Sequence, residues 1–97
     1  MRMLMRVAIP NEGGNSAVKD GSIGKIIGAF LEQQHPEAAY FVAEGGERTG
    51  YFVLDVKDSS DIPSLSEPFF QGLNAAIEFT PAMNPQDLKT ALGKLKL

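Results

Sequence analysis

Residues 38–56 read AAYFVAEGGERTGYFVLDV. Ala38 to Glu44 and Tyr51 to Val56 are aromatic and β-branched runs with the composition of strands, and GGERTG, 45–50, between them is turn material. The segment predicts a β-hairpin. Its place in the middle of the chain decides the rest, because the same order is then found on either flank: a helical pattern next to the hairpin and a strand outside it.

Upstream, Ile23, Ile26, Ile27, Phe30 and Leu31 fall at i, i+3, i+4, i+7 and i+8, the stripe of an amphipathic helix of about four turns. Asp20 or Ser22 is available as its N-cap. The helix stops near QHPE, 34–37, since the residue before a proline avoids helical angles. NEGGNS, 11–16, reads as a loop. Before it, MLMRVAIP, 3–10, sets Met3, Met5, Val7 and Ile9 against Leu4, Arg6 and Ala8, the period of two that marks a strand. Arg6 interrupts this apolar run and no small-residue cleavage site follows, so the opening reads as a strand and not as a signal peptide.

Downstream, Ile62, Leu65, Phe69, Phe70 and Leu73 have helical spacing, with Ser60 or Asp61 as cap and Pro63 in the first turn. Pro68 lies inside this helix, where proline costs about 3 kcal/mol. Two accounts fit it. The helix bends there to wrap Phe69, Phe70 and Leu73 over the sheet, or the freed Ser64 carbonyl joins Glu67 and Asn74 as polar groups at a cavity rim. AAIEFT, 75–80, returns to alternation as a last strand. NPQDLKTALGKLKL, 84–97, then opens a C-terminal helix with Asn84 as cap, Pro85 at the first helical position and Asp87 at the positive end of the dipole. Leu88, Ala91, Leu92 and Leu95 form its apolar stripe.

Strand–helix–strand twice around a central hairpin predicts an α+β domain spanning 1–97, a ferredoxin-like βαββαβ unit with a four-stranded antiparallel sheet plus a C-terminal helix. A chain of this length buries roughly 60 to 70 % of its unfolded surface, enough for one modest core. An apolar fraction of 43 % and a charged fraction of 22 % match an ordinary globular protein and argue against a membrane-spanning chain. Nine basic against twelve acidic residues give a net charge of −3, no footprint for a phosphate backbone, so nucleic acid is not an expected partner. The lack of cysteine removes thiolate metal sites and cysteine nucleophiles, and it suits a cytoplasmic location.

Alternation also sorts the two sheet faces. If Met5, Val7, Ile9, Phe52, Leu54, Val56, Ile77 and Phe79 face the helices, then Leu4, Arg6, Ala8, Tyr51, Val53, Asp55, Ala76, Glu78 and Thr80 occupy the bare face. With the first strand central, flanked by the third and the fourth, Arg6 is expected to pair with Asp55, Glu78 or both.

The order of elements, together with RTGYFVLDV, 48–56, EPFFQGLNAAIEFTPAM, 67–83, and the NPQDL helix start, 84–88, resembles a small bacterial branch of the dimeric α+β barrel superfamily. The resemblance implies that two ferredoxin-like sheets pack face to face across a twofold axis, so that the bare face makes a homodimer. Relatives in that superfamily include muconolactone isomerases, cofactor-independent monooxygenases and stress-responsive barrels. No catalytic residue transfers by motif, and fold alone does not choose among such reactions.

Two functions follow as expectations. The first is a homodimeric barrel acting through association or binding a small, partly apolar molecule between sheet and helices, with Tyr40, Glu67, Phe70 and Asn74 as ligand-binding candidates. The second is a cofactor-independent isomerase or monooxygenase using the same cavity, with Asp55, His35 and Tyr51 as catalytic candidates. His35, the single histidine, is expected at the C-terminal end of the first helix, where capping competes with a pocket role. No metal is expected, as no ligand spacing such as HExxH occurs, and no cofactor, as neither glycine cluster fits a phosphate loop. The serines lack a GxSxG elbow.

Overall fold

A computed structural model describes residues 1–97. Its elements are β1 (Arg2–Ile9), α1 (Asn11–Asp20), α2 (Ser22–Gln34), β2 (Ala38–Glu44), β3 (Glu47–Asp55), a 3-10 turn at Ser59–Asp61, α3 (Ile62–Leu73), β4 (Ala76–Pro81) and α4 (Pro85–Gly93). The chain is α+β, with a four-stranded sheet ordered β2-β3-β1-β4 in which every neighbouring pair is antiparallel. β1 is central, flanked by β3 and β4, as the sequence predicts.

The element order departs from a plain βαββαβ unit before the hairpin. NEGGNS does not form a loop; it opens α1, and two helices fill the first crossover. Helix propensity argues against this, because Gly13 and Gly14 each cost about 1 kcal/mol relative to alanine. Close approach accounts for both glycines. A Cβ on Gly13 would stand 3.1 Å from the Leu73 carbonyl oxygen, and one on Gly14 would stand 2.8 Å from Arg48 Nη1 and 3.2 Å from Ile9 Cγ2. Tertiary packing outweighs the local preference. Gly21, at φ 79°, ends α1 in the left-handed region, and the Asp20 carboxylate accepts the Ser22 N–H at 2.8 Å to begin α2.

The hairpin is tighter than the composition suggests. Only Gly45 and Gly46 connect the strands, at φ 60° and 79°, as a two-residue primed turn requires, and β3 starts at Glu47. The register follows: Glu44 opposes Glu47, Tyr40 opposes Tyr51 and Phe41 opposes Gly50.

One core lies between the sheet and the helices. Met5, Val7, Phe52, Phe69 and Leu73 are its most deeply buried large side chains, and Phe30 sits 4.8 Å from Phe52 and 5.0 Å from Phe69 between ring centroids. The expected face assignment holds for this side, with Ile77 and Phe79 packed at its margin. α3 runs unbroken through Pro68, burying Phe69 and Leu73 while Phe70 stays exposed. Pro68 is tolerated because it lies on the outer surface, and Ser64, whose carbonyl loses its donor, is itself exposed. Capping at the start of this unit comes from Asp58, which accepts the Ser60 N–H, and not from Ser60 or Asp61.

α4 differs from the other helices. Asn84 and Asp87 form a reciprocal capping box, and Arg2 reaches Asp87 at 2.7 Å, so its root is fixed. None of its residues is buried. The extended outline, 55 × 27 × 18 Å, gives a radius of gyration of 15.4 Å. A compact chain of this length has about 12.5 Å.

Candidate functional site

The candidates divide among separate regions. On the bare face the ion pairing predicted for Arg6 is met by Glu78, its register partner on β4, and corrected for Asp55. Parity places Arg6 on the right side, but the register sets Asp55 opposite Arg2, at the far end of β3 from Arg6's partner Tyr51. Asp55 instead accepts from the Met1 ammonium at 2.8 Å, whose hydrogen bond and charge hold its carboxyl below the ordinary value. Arg6 pairs with Glu44 of the edge strand, Nη2 to Oε1 at 2.6 Å, and lies a looser 3.8 Å from Glu78. Tyr51 completes the group: its hydroxyl donates to Glu44 Oε2 at 2.6 Å and accepts from Arg6 Nε at 3.2 Å. The Tyr51 hydrogen bond, then Arg6, keep the Glu44 carboxyl below its usual value. Glu44 was not predicted here because its approach depends on the two-residue turn.

Of the catalytic candidates, Tyr51 therefore belongs to this surface cluster, Asp55 to the chain terminus and His35 to the C-terminal cap of α2. His35 takes φ 46° and its backbone N–H donates to the Leu31 carbonyl at 3.1 Å. The three are not brought together. Among the ligand-binding candidates, Glu67 and Phe70 border one shallow depression of about 220 Å³ between α3 and β4. Asn74 caps α3 at φ 52°, and Tyr40 lies on the outer edge strand, 69 % exposed.

A predominantly apolar pocket lies elsewhere. Half-open and of about 370 Å³, it lies between α2 and the helix-facing side of β1, β2 and β3. Nine of its twelve lining residues are hydrophobic; Ile23 and Ile27 supply the helix wall, Val7 and Ile9 the floor, and Phe41 and Ala43 the edge strand. Phe52 and Phe69 join it to the core. Arg48 brings the one charged side chain to it, while Thr49, whose side chain parity places on the opposite face with Tyr51, borders it along the strand. This is the size and character of a small-molecule site, mostly apolar with few polar groups.

Sequence reasoning missed Arg48 and Phe41 as pocket residues, although a signal was present. Parity counted back from Phe52 puts Gly50 and Arg48 on the helix-facing side, and extending the strand to Glu47 would have shown a charge there. No three histidine or acidic side chains converge as a metal site, and no helix is long and apolar enough to cross a membrane. Comparison of the chain with protein-family models, curated proteins and solved structures gives no match.

Proposed function

We propose that this chain is the protomer of a homodimeric α+β barrel that binds a small, partly apolar molecule. The half-open apolar pocket between α2 and the hairpin carries the reading: it offers a concave, preformed wall that the core does not fill. The test is a carbon–proton NMR titration with octanamide, an uncharged probe. The reading expects saturable shifts at the methyls of Ile9, Ile23 and Ile27, and it fails if those methyls stay still while binding is absent or scattered over the surface.

Dimerisation rests on surface area. A folded monomer of 10.5 kDa exposes about 5,400 Å². This chain exposes 6511 Å². The excess of about 1,100 Å² exceeds the roughly 800 Å² that each partner contributes to a standard interface. It is also apolar in the right places: Tyr40 and Val42 on the bare face of β2, Leu88 and Leu92 on α4, and Leu95 just beyond it. A second copy applied to the bare sheet face, with α4 alongside, would cover both. Analytical ultracentrifugation at micromolar concentration should give about twice 10.5 kDa; a single species at the chain mass rejects the dimer.

A further inference from the structure

We infer that the ligand is a small molecule with an apolar body and one carboxylate, and that Arg48 binds the carboxylate; this rests on the pocket reading above. The chain has three arginines, and two are already neutralised. Arg2 meets Glu37 at 2.8 Å and Asp87 at 2.7 Å, and Arg6 meets Glu44 at 2.6 Å. Arg48 has no carboxylate within ion-pair distance, although it is partly buried on the helix-facing side of β3, opposite Ile9 and Ala43. Its one side-chain partner is neutral, the Asn15 carbonyl oxygen, accepting from Nη1 at 3.1 Å.

A guanidinium carries five donors in a planar fork that matches a carboxylate in two parallel hydrogen bonds. One donor engaged by Asn15 leaves enough of that fork for an anion. The positioning is also built in. Gly14 lets the Arg48 head lie against α1, since a Cβ there would stand 2.8 Å from Nη1, and Asn15 holds it from the next residue. Asn11 ties the start of the same helix to the hairpin turn through Nδ2 and the Gly46 carbonyl at 3.1 Å. From this end the wall continues through Ile9 and Phe41 to Ile23 and Ile27, so a ligand with its head at Arg48 lays its body along hydrocarbon. Partial burial limits competition from water, and the apolar wall rejects a second charge.

The experiment compares octanoate with octanamide on the wild-type protein by isothermal titration calorimetry, then repeats the pair on Arg48→Gln and Arg48→Lys. The acid should bind roughly 10- to 100-fold more tightly than the amide, as one charge-assisted hydrogen-bonded contact predicts. Arg48→Gln should erase that preference while leaving amide affinity within about threefold, and Arg48→Lys should retain part of it. Acid and amide binding equally well would overturn the assignment of Arg48 and leave the pocket reading standing. Failure of both probes overturns both readings. The wild-type comparison decides the matter even if a variant does not fold.

Discussion

α3 and α4 carry apolar stripes of the same helical spacing, and only one of them is covered. In α3 the stripe meets the sheet: Leu65, Phe69 and Leu73 are buried, and Ile26 of α2 lies so near Gly72 that a Cβ there would stand 2.5 Å from its Cδ1. In α4, Leu88 and Leu92 are each about half exposed, as is Leu95 just past its end. Both helices are capped and regular, so the difference does not come from their local sequences. An amphipathic pattern states that a face is to be buried; it does not state whether the cover comes from the same chain. The sheet shows the same division at closer range, where Phe52 enters the aromatic core and its neighbour Tyr51 joins an ionic cluster on the bare side.

The largest expected effect lies on the covered side. Phe69→Ala removes a ring packed against Phe30 and Phe52 and should destabilise the fold by about 3 to 5 kcal/mol. Denaturant melts would check it, and a loss below about 0.5 kcal/mol, the scale of surface substitutions, would mean that this core is not the one that holds the fold.

On the uncovered side the expected loss is of association. Leu88→Asp with Leu92→Asp should leave the unfolding free energy of the dilute monomer within about 0.5 kcal/mol, because neither side chain is buried in the chain. The same pair should weaken dimerisation at least tenfold, equivalent to about 1.4 kcal/mol. Sedimentation across a concentration series reads the association, and a denaturant melt at low concentration reads the stability. An unchanged dimer would remove α4 from the interface, and a collapse of monomer stability would show that the helix is covered within its own chain.

Much of the covered side was legible in sequence and little of the open side was. Periodicity located α2 and α3, because a face packed on a core leaves a repeating trace, and the ferredoxin-like order of elements put β1 at the centre of the sheet. Asn84, Pro85 and Asp87 announced α4 through local chemistry that needs no partner. The failures share one cause, which is dependence on contacts distant in the chain. α1 is helical in spite of Gly13 and Gly14, since Leu73, Ile9 and Arg48 come too close for larger residues. The partner of Arg6 depended on register, which alternation alone leaves open. The pocket gathers residues from α2 and three strands, so none of its members stood out singly.

A smaller effect tests the hairpin that sets this register. Gly46→Ala forces a side chain into φ 79° with open space around it, so the cost is backbone strain without a clash, about 1 kcal/mol. A fall in the urea midpoint at constant slope would register it. No change would mean that the turn relaxes to another type, and the contact between Glu44 and Arg6 would then loosen with it.

The smallest effect is electrostatic and belongs to the bare face. Glu44 is held below its ordinary value first by the Tyr51 hydroxyl and next by Arg6. A carboxyl whose folded value is depressed adds stability above its unfolded value, near 4.3 for glutamate, and that contribution is lost as pH falls through the folded value. Tyr51→Phe removes the larger cause and should raise the Glu44 midpoint seen by carboxyl carbon NMR, moving the loss of its contribution to higher pH. Arg6→Gln, which removes a second hydrogen bond together with the attraction of the guanidinium, should raise it too. The comparison of the two shifts tells whether the hydroxyl at 2.6 Å or the guanidinium governs the group, since solvent screens charge on an open face. If Arg6→Gln moves Glu44 further than Tyr51→Phe does, charge governs the cluster and the bare face is less open to water than its exposed edge strand suggests. That outcome would itself favour a second copy seated on it, since burial strengthens ion pairs at close range.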